Sequence, residues 1–392
     1  MVSSDAPPPK SLIVEGWRFV PHSYAIVNQW QLLALSRRPD VRLKIVDLPL
    51  LSKRWKQETG LFEAPDEECL QKLEIATAQD RADVTLRIAF PFDFSQSRSP
   101  LTAVFGTCEH QTIRKDQLPE IEAYERLQKH PPGEDIKAIT PSNWSAEGFY
   151  NAGFRPEQVI VVPHGVDVET FRPMPELRAP IREKISIPDD SFVFLSVGAM
   201  SGNKGMDLLF RAFAEVSRIY PNALLLLKGM DPLYKSRRFL HESMQLLPPA
   251  DRERIEKRMI YFGNSFHLKK MAQLYQAADA YVSPYRAEGF NLPVLEAAAS
   301  GVPIICTGKG ATDDFVTEAF ARKIDSKKVS GRYEGQEVFR LDPSVEHLIV
   351  LMRAVIEERS WRATASNAGP AHVRANFTWD HVVDRLLRKL FD

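Results

Sequence analysis

The chain has 392 residues, of which 44% are hydrophobic and 26% are charged, a composition that excludes a disordered chain and a single small domain. Lysine plus arginine and aspartate plus glutamate both number 51, so the formal net charge is +0 and no global field favours binding to nucleic acid. The three cysteines lie far apart, which predicts neither a zinc site nor a disulfide framework and is typical of reduced thiols in the cytosol.

The chain begins with a proline-rich stretch, residues 1–10, that has no apolar core. It predicts a short disordered lead rather than a signal peptide. The next apolar segment, Phe19 to Ser36, has no charged residue, but a histidine and three amide side chains interrupt it, so we expect no membrane span there. These features predict a cytoplasmic protein in which any contact with the inner face of the membrane is peripheral.

Short β-rich runs, bounded by glycine or proline and separated by helical patterns, occur in two sets along the chain. The first set comprises Leu12 to Val14, Leu43 to Leu48, Val84 to Ile88, Ala103 to Thr107, Ile136 to Thr140 and Val159 to Val162. The second set comprises Phe192 to Val197, Ala223 to Lys228, Met259 to Phe262, Ala280 to Ser283 and Pro303 to Cys306. This alternation predicts an α/β protein with two Rossmann-like domains built on parallel sheets.

The boundary between the two predicted domains lies after the last strand of the first set. The segment from Val162 to Asp167 closes that strand, and a proline-rich stretch that continues to Pro188 predicts a linker. We therefore assign residues 1–168 to the first domain and residues 169–376 to the second.

The end of the second domain and the C-terminus differ in how clearly the sequence predicts secondary structure. The pattern weakens between Cys306 and Leu341, which predicts a loop-rich excursion. The segment from Trp379 to Phe391 carries an apolar stripe at helical spacing. It predicts an amphipathic helix by which residues 377–392 return to the first domain.

The strongest local motif runs from Ser283 to Gly301, where a predicted strand ends. A tight turn that contains Gly289 precedes a helix that begins near Leu292, with a proline in its first turn. The free N–H groups at such a helix start can bind a diphosphate. Glu288 and Glu296 flank this anion pocket, and because like charges repel, we expect these carboxylates to accept hydrogen bonds from sugar or ribose hydroxyls.

The spacing of Glu288 and Glu296 resembles the EX7E motif of retaining glycosyltransferases of family 4, which have the two-domain GT-B fold. Further segments are similar to that family's patterns: Val162 to Asp167, Gly198 with Lys204 and Gly205, and Gly301 with Pro303. The resemblance covers residues 159–306 firmly and the first domain weakly. It implies that the first domain binds the acceptor and the second binds a nucleotide-sugar donor.

The loop that follows Val197 departs from the family pattern. The family has an arginine directly after the glycine, whereas Ala199 stands there in this chain, and Lys204 is retained. Because cations stabilise a departing diphosphate, Arg286 and Lys228 become candidate replacements. Asn291 stands where the family has glycine, which is a smaller departure because asparagine tolerates unusual backbone angles.

The resemblance implies a set of donor-binding residues in the second domain. Glu288 is expected to contact hydroxyls of the transferred sugar, Glu296 to contact the ribose, and Lys204 to offset the charge of the diphosphate. The other expected donor-binding residues are Gly198, Arg286, Gly289, Phe290, Asn291 and Leu292, with the amides of the last two on the diphosphate.

Two loops of the first domain supply further candidates. Ser23 is a plausible N-cap of the first helix, and in a GT-B enzyme the loop with His22 and Ser23 faces the cleft and touches donor or acceptor. Glu109 and His110 follow a strand at the carboxyl edge of the sheet, where open α/β sheets bind ligands. The family commonly has a histidine near this point that contacts the sugar, and either His110 matches it or Glu109 takes its place.

The implied reaction transfers a hexosyl group from a donor such as GDP-mannose or UDP-glucose to a hydroxyl of a glycan or glycolipid precursor, with retention of configuration, as in polysaccharide biosynthesis. It requires no cofactor and no metal, and the scattered histidines have no metal-ligand spacing. The donor, the acceptor and the oligomeric state stay open. Two alternatives also stay open: a catalytically inactive nucleotide-sugar-binding partner, because of Ala199, and a sugar-nucleotide epimerase on the same fold.

Overall fold

The structure, a computed structural model, describes residues 9–52 and 55–392. The first domain contains β1 (Lys10–Gly16), β2 (Val41–Asp47), β3 (Val84–Ile88), β4 (Leu101–Phe105), β5 (Ile136–Thr140) and β6 (Val159–Val161). They form one parallel sheet in the order β2-β1-β3-β4-β5-β6. The disordered lead expected at the start falls mainly on residues 1–8, outside the described residues, whereas Lys10 already belongs to β1.

Four helices connect these strands. They are α1 (Ser23–Ser36), α2 (Ala64–Lys72), α3 (Ile121–Lys129) and α4 (Asn143–Asn151). The side chain of His22 caps α1, so the expectation that Ser23 is the N-cap is wrong by one residue. The imidazole nitrogen accepts a hydrogen bond as a serine hydroxyl would.

The second domain repeats this architecture. Its sheet contains β7 (Phe192–Val197), β8 (Ala223–Lys228), β9 (Met259–Phe262), β10 (Ala280–Ser283), β11 (Ile304–Thr307) and β12 (Ala321–Ile324). The strands are parallel in the order β12-β11-β10-β7-β8-β9. All eleven predicted strands are confirmed to within two residues at each end, because buried parallel strands read as continuous apolar runs.

The helices of the second domain follow in chain order. They are α5 (Arg178–Lys184), α6 (Met206–Ile219), α7 (Asp231–Tyr234), α8 (Ser236–Met244), α9 (Pro249–Glu256), α10 (Leu268–Gln276), α11 (Leu292–Ala299), α12 (Val345–Glu357) and α13 (Arg359–Asn376). Short 3₁₀ helices occupy Lys115–Gln117, Pro156–Gln158, Pro175–Leu177, Gly202–Lys204 and Ala311–Asp314. The proline-rich linker is therefore shorter than expected, since α5 lies within it and is held to the second domain by a 2.6 Å ion pair between Arg182 and Asp279.

The segment expected to be a loop-rich excursion contains regular structure. Besides β12, it forms an antiparallel hairpin of β13 (Ser326–Tyr333) and β14 (Gln336–Pro343), which belongs to neither six-stranded sheet. Because β13 is mostly exposed, it lacks the apolar run that reveals a buried strand.

The last helix, α14 (Trp379–Phe391), packs on the first domain as predicted. Its apolar stripe is buried with α1, and Asp380 forms a 2.9 Å ion pair with Arg37. Each leucine that is fully buried there stabilises the fold by about 1.5–3 kcal/mol. Among the described helices, none combines the length and apolar character that a bilayer span requires.

Candidate active site

The carboxyl edges of the two sheets meet at the turn between β10 and α11. Ser142, which follows β5, donates a 2.6 Å hydrogen bond from its hydroxyl to the carbonyl oxygen of Gly289 in that turn. A Cβ added at Gly289 would lie 2.7 Å from the Cβ of Thr107, which follows β4. Glycine at this position therefore allows this turn of the second domain to reach the first domain.

An ion pair between Lys204 and Glu288 lies at the centre of this edge. The Glu288 side chain is 6% exposed and that of Lys204 is 25% exposed. Burial and the nearby carboxylate of Glu109 raise the pKa of Glu288, while Lys204 opposes this shift. Burial would lower the pKa of Lys204, but Glu288 and Glu109 outweigh it and keep this pKa above its usual range. The site thus holds one cation between two carboxylates.

Glu109 joins this group from the first domain. Its carboxylate accepts a 3.4 Å hydrogen bond from the side-chain amide of Asn203, the residue that precedes Lys204. Its carbonyl oxygen accepts a 2.8 Å hydrogen bond from the indole of Trp144. Of the two alternatives that the sequence left open, Glu109 is the residue whose charge acts on both Lys204 and Glu288.

His110 shares one neighbour with Glu109, since its side chain also interacts with that of Asn203, and its other contacts differ. Its Nδ1 lies 3.3 Å from a guanidinium nitrogen of Arg114, and its carbonyl oxygen accepts a 3.0 Å hydrogen bond from the amide of Phe339 in β14. Burial lowers the pKa of His110, and Arg114 and Arg340 lower it further, against the opposing charge of Glu109. These effects favour the neutral form of the imidazole.

Glu296 lies one helical turn beyond the start of α11. Tyr275 in α10 donates a 2.7 Å hydrogen bond from its hydroxyl to Oε2 of Glu296. Burial raises the pKa of Glu296 to about 7, and the bond from Tyr275 acts in the opposite direction. The carboxyl group therefore changes charge near neutral pH.

The start of α11 is the place where the sequence predicts a diphosphate site. Asn291 adopts left-handed backbone angles (φ 78°, ψ 63°), and its side-chain amide donates a 2.9 Å hydrogen bond to the hydroxyl of Ser283. Phe290 is buried against His164, with ring centroids 4.9 Å apart, and Leu292 is half-buried. Helix α11 starts at Leu292, whose N–H has no carbonyl partner within the helix, whereas Pro293 has no N–H and the amide of Val294 donates to the carbonyl oxygen of Asn291.

The loop after β7 is shaped by two glycines. A Cβ at Gly198 would lie 3.3 Å from Cε of Lys204, so the lysine stem lies against this backbone. Gly205 has a φ of +68°, and a Cβ there would lie 2.0 Å from the carbonyl oxygen of Pro284. Only glycine satisfies both conditions at position 205.

The two candidate replacements for the missing arginine are differently placed. Arg286 forms a bidentate ion pair with Asp207, with distances of 2.6 and 2.7 Å, and also donates to the carbonyl oxygen of Gly202. Its charge is thus neutralised by Asp207, which does not support the expectation that it faces a diphosphate. Lys228 is buried at the end of β8, and burial lowers the pKa of its ammonium to about 8.

His22 and Ser23 lie on the opposite wall of the cleft. Nδ1 of His22 accepts a 3.2 Å hydrogen bond from the amide of Tyr24, and the ring packs 4.9 Å from that of Trp55. Burial lowers the pKa of His22 to about 4. Ser23 is exposed and interacts with the hydroxyl of Tyr234 from the second domain. These two residues therefore contact the second domain near α7.

Sequence reasoning missed the partners that hold the predicted residues in place. These are Asn203, Asp207 and Tyr275. Asn203 and Asp207 flank the Lys204-Gly205 motif. Their polar side chains beside this predicted diphosphate loop were a signal in the sequence that could have identified them. Tyr275 offered no such signal, because its partner Glu296 lies in another helix. Among the described residues, no group of three or more His, Cys, Asp or Glu side chains is placed to hold a metal ion.

Comparison with known proteins locates a family domain in the second half of the chain. Residues 178–328 match the family described as "Glycosyl transferases group 1". D-inositol 3-phosphate glycosyltransferase 1 of Catenulispora acidiphila is 30% identical over 244 residues, which cover 60% of this chain and 52% of that protein. The GDP-mannose-dependent monoacylated alpha-(1-6)-phosphatidylinositol monomannoside mannosyltransferase of Corynebacterium glutamicum is 30% identical over 233 residues, covering 57% and 54%. The chain thus spans about half the length of the curated relatives it matches.

Solved structures share the fold over nearly the whole chain. A glycosyltransferase from Rickettsia africae superposes with a TM-score of 0.69 at 12% identity, covering 97% of this chain and 98% of its own. Anabaena HepE, solved in complex with UDP-glucose, superposes with a TM-score of 0.67 at 16% identity, covering 97% and 99%. The chain therefore has the GT-B fold, and residues 178–328 of its second domain match the glycosyl transferases group 1 family.

Proposed function

We propose that this protein is a retaining glycosyltransferase that moves a hexosyl group from a nucleotide diphosphate sugar to a hydroxyl of a glycan or glycolipid precursor. The observation that carries the proposal is the convergence of Lys204 and Glu288 with Glu109 where the two sheets meet. A cation beside a helix start suits a leaving diphosphate, and buried carboxylates suit sugar hydroxyls. The group 1 domain and the relatives' names agree with this chemistry.

In the proposed reaction, the bond between the anomeric carbon and the phosphate oxygen breaks while the acceptor oxygen attacks on the same face. The acceptor proton passes to the leaving phosphate. Lys204 offsets the charge that develops on this phosphate, and the start of α11 adds its N–H groups. Glu288 holds the sugar, and Glu296 binds the ribose. Each step requires neither a metal nor a cofactor.

The names of the relatives suggest two donors to compare. The Corynebacterium relative is named as GDP-mannose-dependent, and HepE was solved with UDP-glucose. We propose a donor of one of these two types. The test incubates the protein with GDP-mannose or UDP-glucose and a mixture of glycan and glycolipid acceptors, and follows release of nucleotide diphosphate and the anomeric configuration of the product. A product with inverted configuration contradicts the retaining mechanism.

One observation favours a second candidate, a nucleotide-sugar-binding partner without turnover. Ala199 removes one cation of the family's pattern, and Asp207 neutralises Arg286, which could have replaced it. Such a protein would bind nucleotide diphosphate and release no sugar from either donor. The same assay, run beside calorimetry with GDP and UDP, separates this candidate from the transferase.

A further inference from the structure

Strand β14 hydrogen-bonds to both halves of the candidate active site. The amide of Leu341 donates a 2.8 Å hydrogen bond to the carbonyl oxygen of Arg286, two residues before Glu288. The amide of Phe339 donates a 3.0 Å hydrogen bond to the carbonyl oxygen of His110, next to Glu109. One strand edge thus contacts the donor-side turn and the first-domain loop.

The register of the hairpin explains why these two amides point the same way. Leu341 and Phe339 are two residues apart, and amides at this spacing lie on the same edge of a strand. The other edge of β14 pairs with β13 over its full length. Two residues of a strand span about 7 Å, so β14 sets the spacing of the two carbonyl oxygens at about this distance.

The tip of the hairpin is anchored on the first domain. Oε1 of Gln336 accepts a 2.9 Å hydrogen bond from the amide of Lys115, and its Nε2 donates to the hydroxyl of Tyr124 at 2.8 Å. Nε2 also lies 3.4 Å from the carbonyl oxygen of Ile113. A single side chain of the second domain therefore satisfies three groups of the first.

The base of the hairpin adds an apolar contact across the cleft. Leu341 is fully buried in a small cluster with Trp144 of the first domain and with Tyr285 and Ala311 of the second. Trp144 is also the residue whose indole donates to the carbonyl oxygen of Glu109. The hairpin is thus fixed at its base, its middle and its tip.

We propose that β14 is a positioning strand of the transfer reaction, one that sets the distance between Glu109 and Glu288 by bonding to the loop of the first domain and to the turn of the second. This inference rests on the proposed function. It assigns Gln336 as a positioning residue, since Gln336 touches the first domain and none of the candidate reacting groups. A misplacement of about 1 Å in such a site costs up to ~10²-fold in rate, so the loss of one anchor is measurable.

The test compares Gln336→Ala with Glu337→Ala, the exposed neighbour on the same strand. We expect Gln336→Ala to lower kcat for transfer roughly tenfold while the affinity for bare nucleotide diphosphate, measured by calorimetry, stays unchanged. Glu337→Ala should match the wild type in both measurements. Tyr124→Phe, which removes one acceptor of Gln336 and keeps the ring, should lower kcat in the same direction.

A second variant tests the strand itself, and it keeps the inference testable if Gln336→Ala does not fold. Replacing Phe339 by its α-hydroxy acid analogue turns the amide into an ester, which removes the N–H donor to His110 and keeps the side chain. Wild-type kcat in both this variant and Tyr124→Phe would overturn the inference.

If the wild-type protein transfers no sugar, that result contradicts the proposed function and not the role of β14. Small-angle scattering with saturating GDP or UDP then still tests the strand. The inference requires a larger radius of gyration for Gln336→Ala than for wild type and Glu337→Ala, and three identical curves would overturn it.

Discussion

The hydroxyl of Tyr275 donates a 2.7 Å hydrogen bond to the carboxyl group of Glu296, and this contact joins α10 to the helix that starts at the candidate diphosphate site. Burial raises the pKa of Glu296 to about 7, against the effect of this bond. Because a proton on Glu296 removes the charge that would accept hydrogen bonds from a ribose, its titration links nucleotide affinity to pH.

We predict that affinity for bare nucleotide diphosphate increases as pH rises through about 7. Calorimetry across this range with wild type and Glu296→Gln separates the effect of Glu296 from titration of the phosphate, which both proteins share. Glu296→Gln should lose about 1–3 kcal/mol of binding at high pH, the range for a charge-assisted hydrogen bond. In Tyr275→Phe, the inflection should move to higher pH, since the bond that lowers the pKa is absent. Identical profiles for all three proteins would contradict the assignment of Glu296 to the ribose.

The same titration affects folding. The folded protein binds a proton on Glu296 between the ordinary pKa of 4.5 and about 7, a range in which the unfolded chain has lost it. This group's contribution to stability is therefore present at low pH and is lost as pH rises through that window. Denaturant unfolding should show a smaller decline in stability over this window for Glu296→Gln than for wild type.

Lys204→Ala should lower turnover by about 10²–10³, because it removes the cation that offsets the charge on the leaving diphosphate. The matched control is Lys257→Ala, which removes an exposed lysine of the same domain. Steady-state kinetics with whichever of GDP-mannose and UDP-glucose supports transfer provide the measurement. Equal turnover in wild type and Lys204→Ala would show that the loop does not bind the diphosphate.

Glu288→Gln should separate sugar transfer from nucleotide binding. The change keeps the shape of the side chain and removes the charge that pairs with Lys204. Calorimetry should find nearly normal affinity for bare nucleotide diphosphate, whereas product formation from the donor should fall. If nucleotide binding is lost as strongly as in Glu296→Gln, the division of roles between the two glutamates is wrong.

The bidentate contact between Arg286 and Asp207 predicts that these residues act as a unit. Arg286→Ala and Asp207→Ala should each lower transfer, and the double variant should be no worse than either single variant. A thermal shift and an activity assay on all four proteins complete the cycle. A much larger loss in Arg286→Ala than in Asp207→Ala would indicate that Arg286 reaches the donor after all.

Gly205→Ala should destabilise the protein by at least about 1–3 kcal/mol, since alanine is strained at a φ of +68° and its Cβ would collide with the carbonyl oxygen of Pro284. Gly202→Ala in the same loop is the control, because nothing lies within 4 Å of its added Cβ. Denaturant unfolding measures both. Equal midpoints for the two variants would contradict the close approach at Gly205.

The sequence by itself determined the two sheets and the returning helix. Strands such as β7 and β8 are buried on both faces and so form unbroken apolar runs, and the stripe of α14 is a local 3.6-residue pattern. The turn with Glu288 and the helix with Glu296 were also predictable, because a strand end, a glycine and a helix start follow one another in sequence.

Only the tertiary structure decided which charges meet. Asp207 neutralises Arg286, Tyr275 holds Glu296, and β14 bridges the two halves of the site through backbone amides. These partners lie far apart in the chain, and no local periodicity encodes their contact. The hairpin was missed because β13 is mostly exposed and so lacks an apolar run, while contacts with the first domain, which no local pattern encodes, help to hold the hairpin in place.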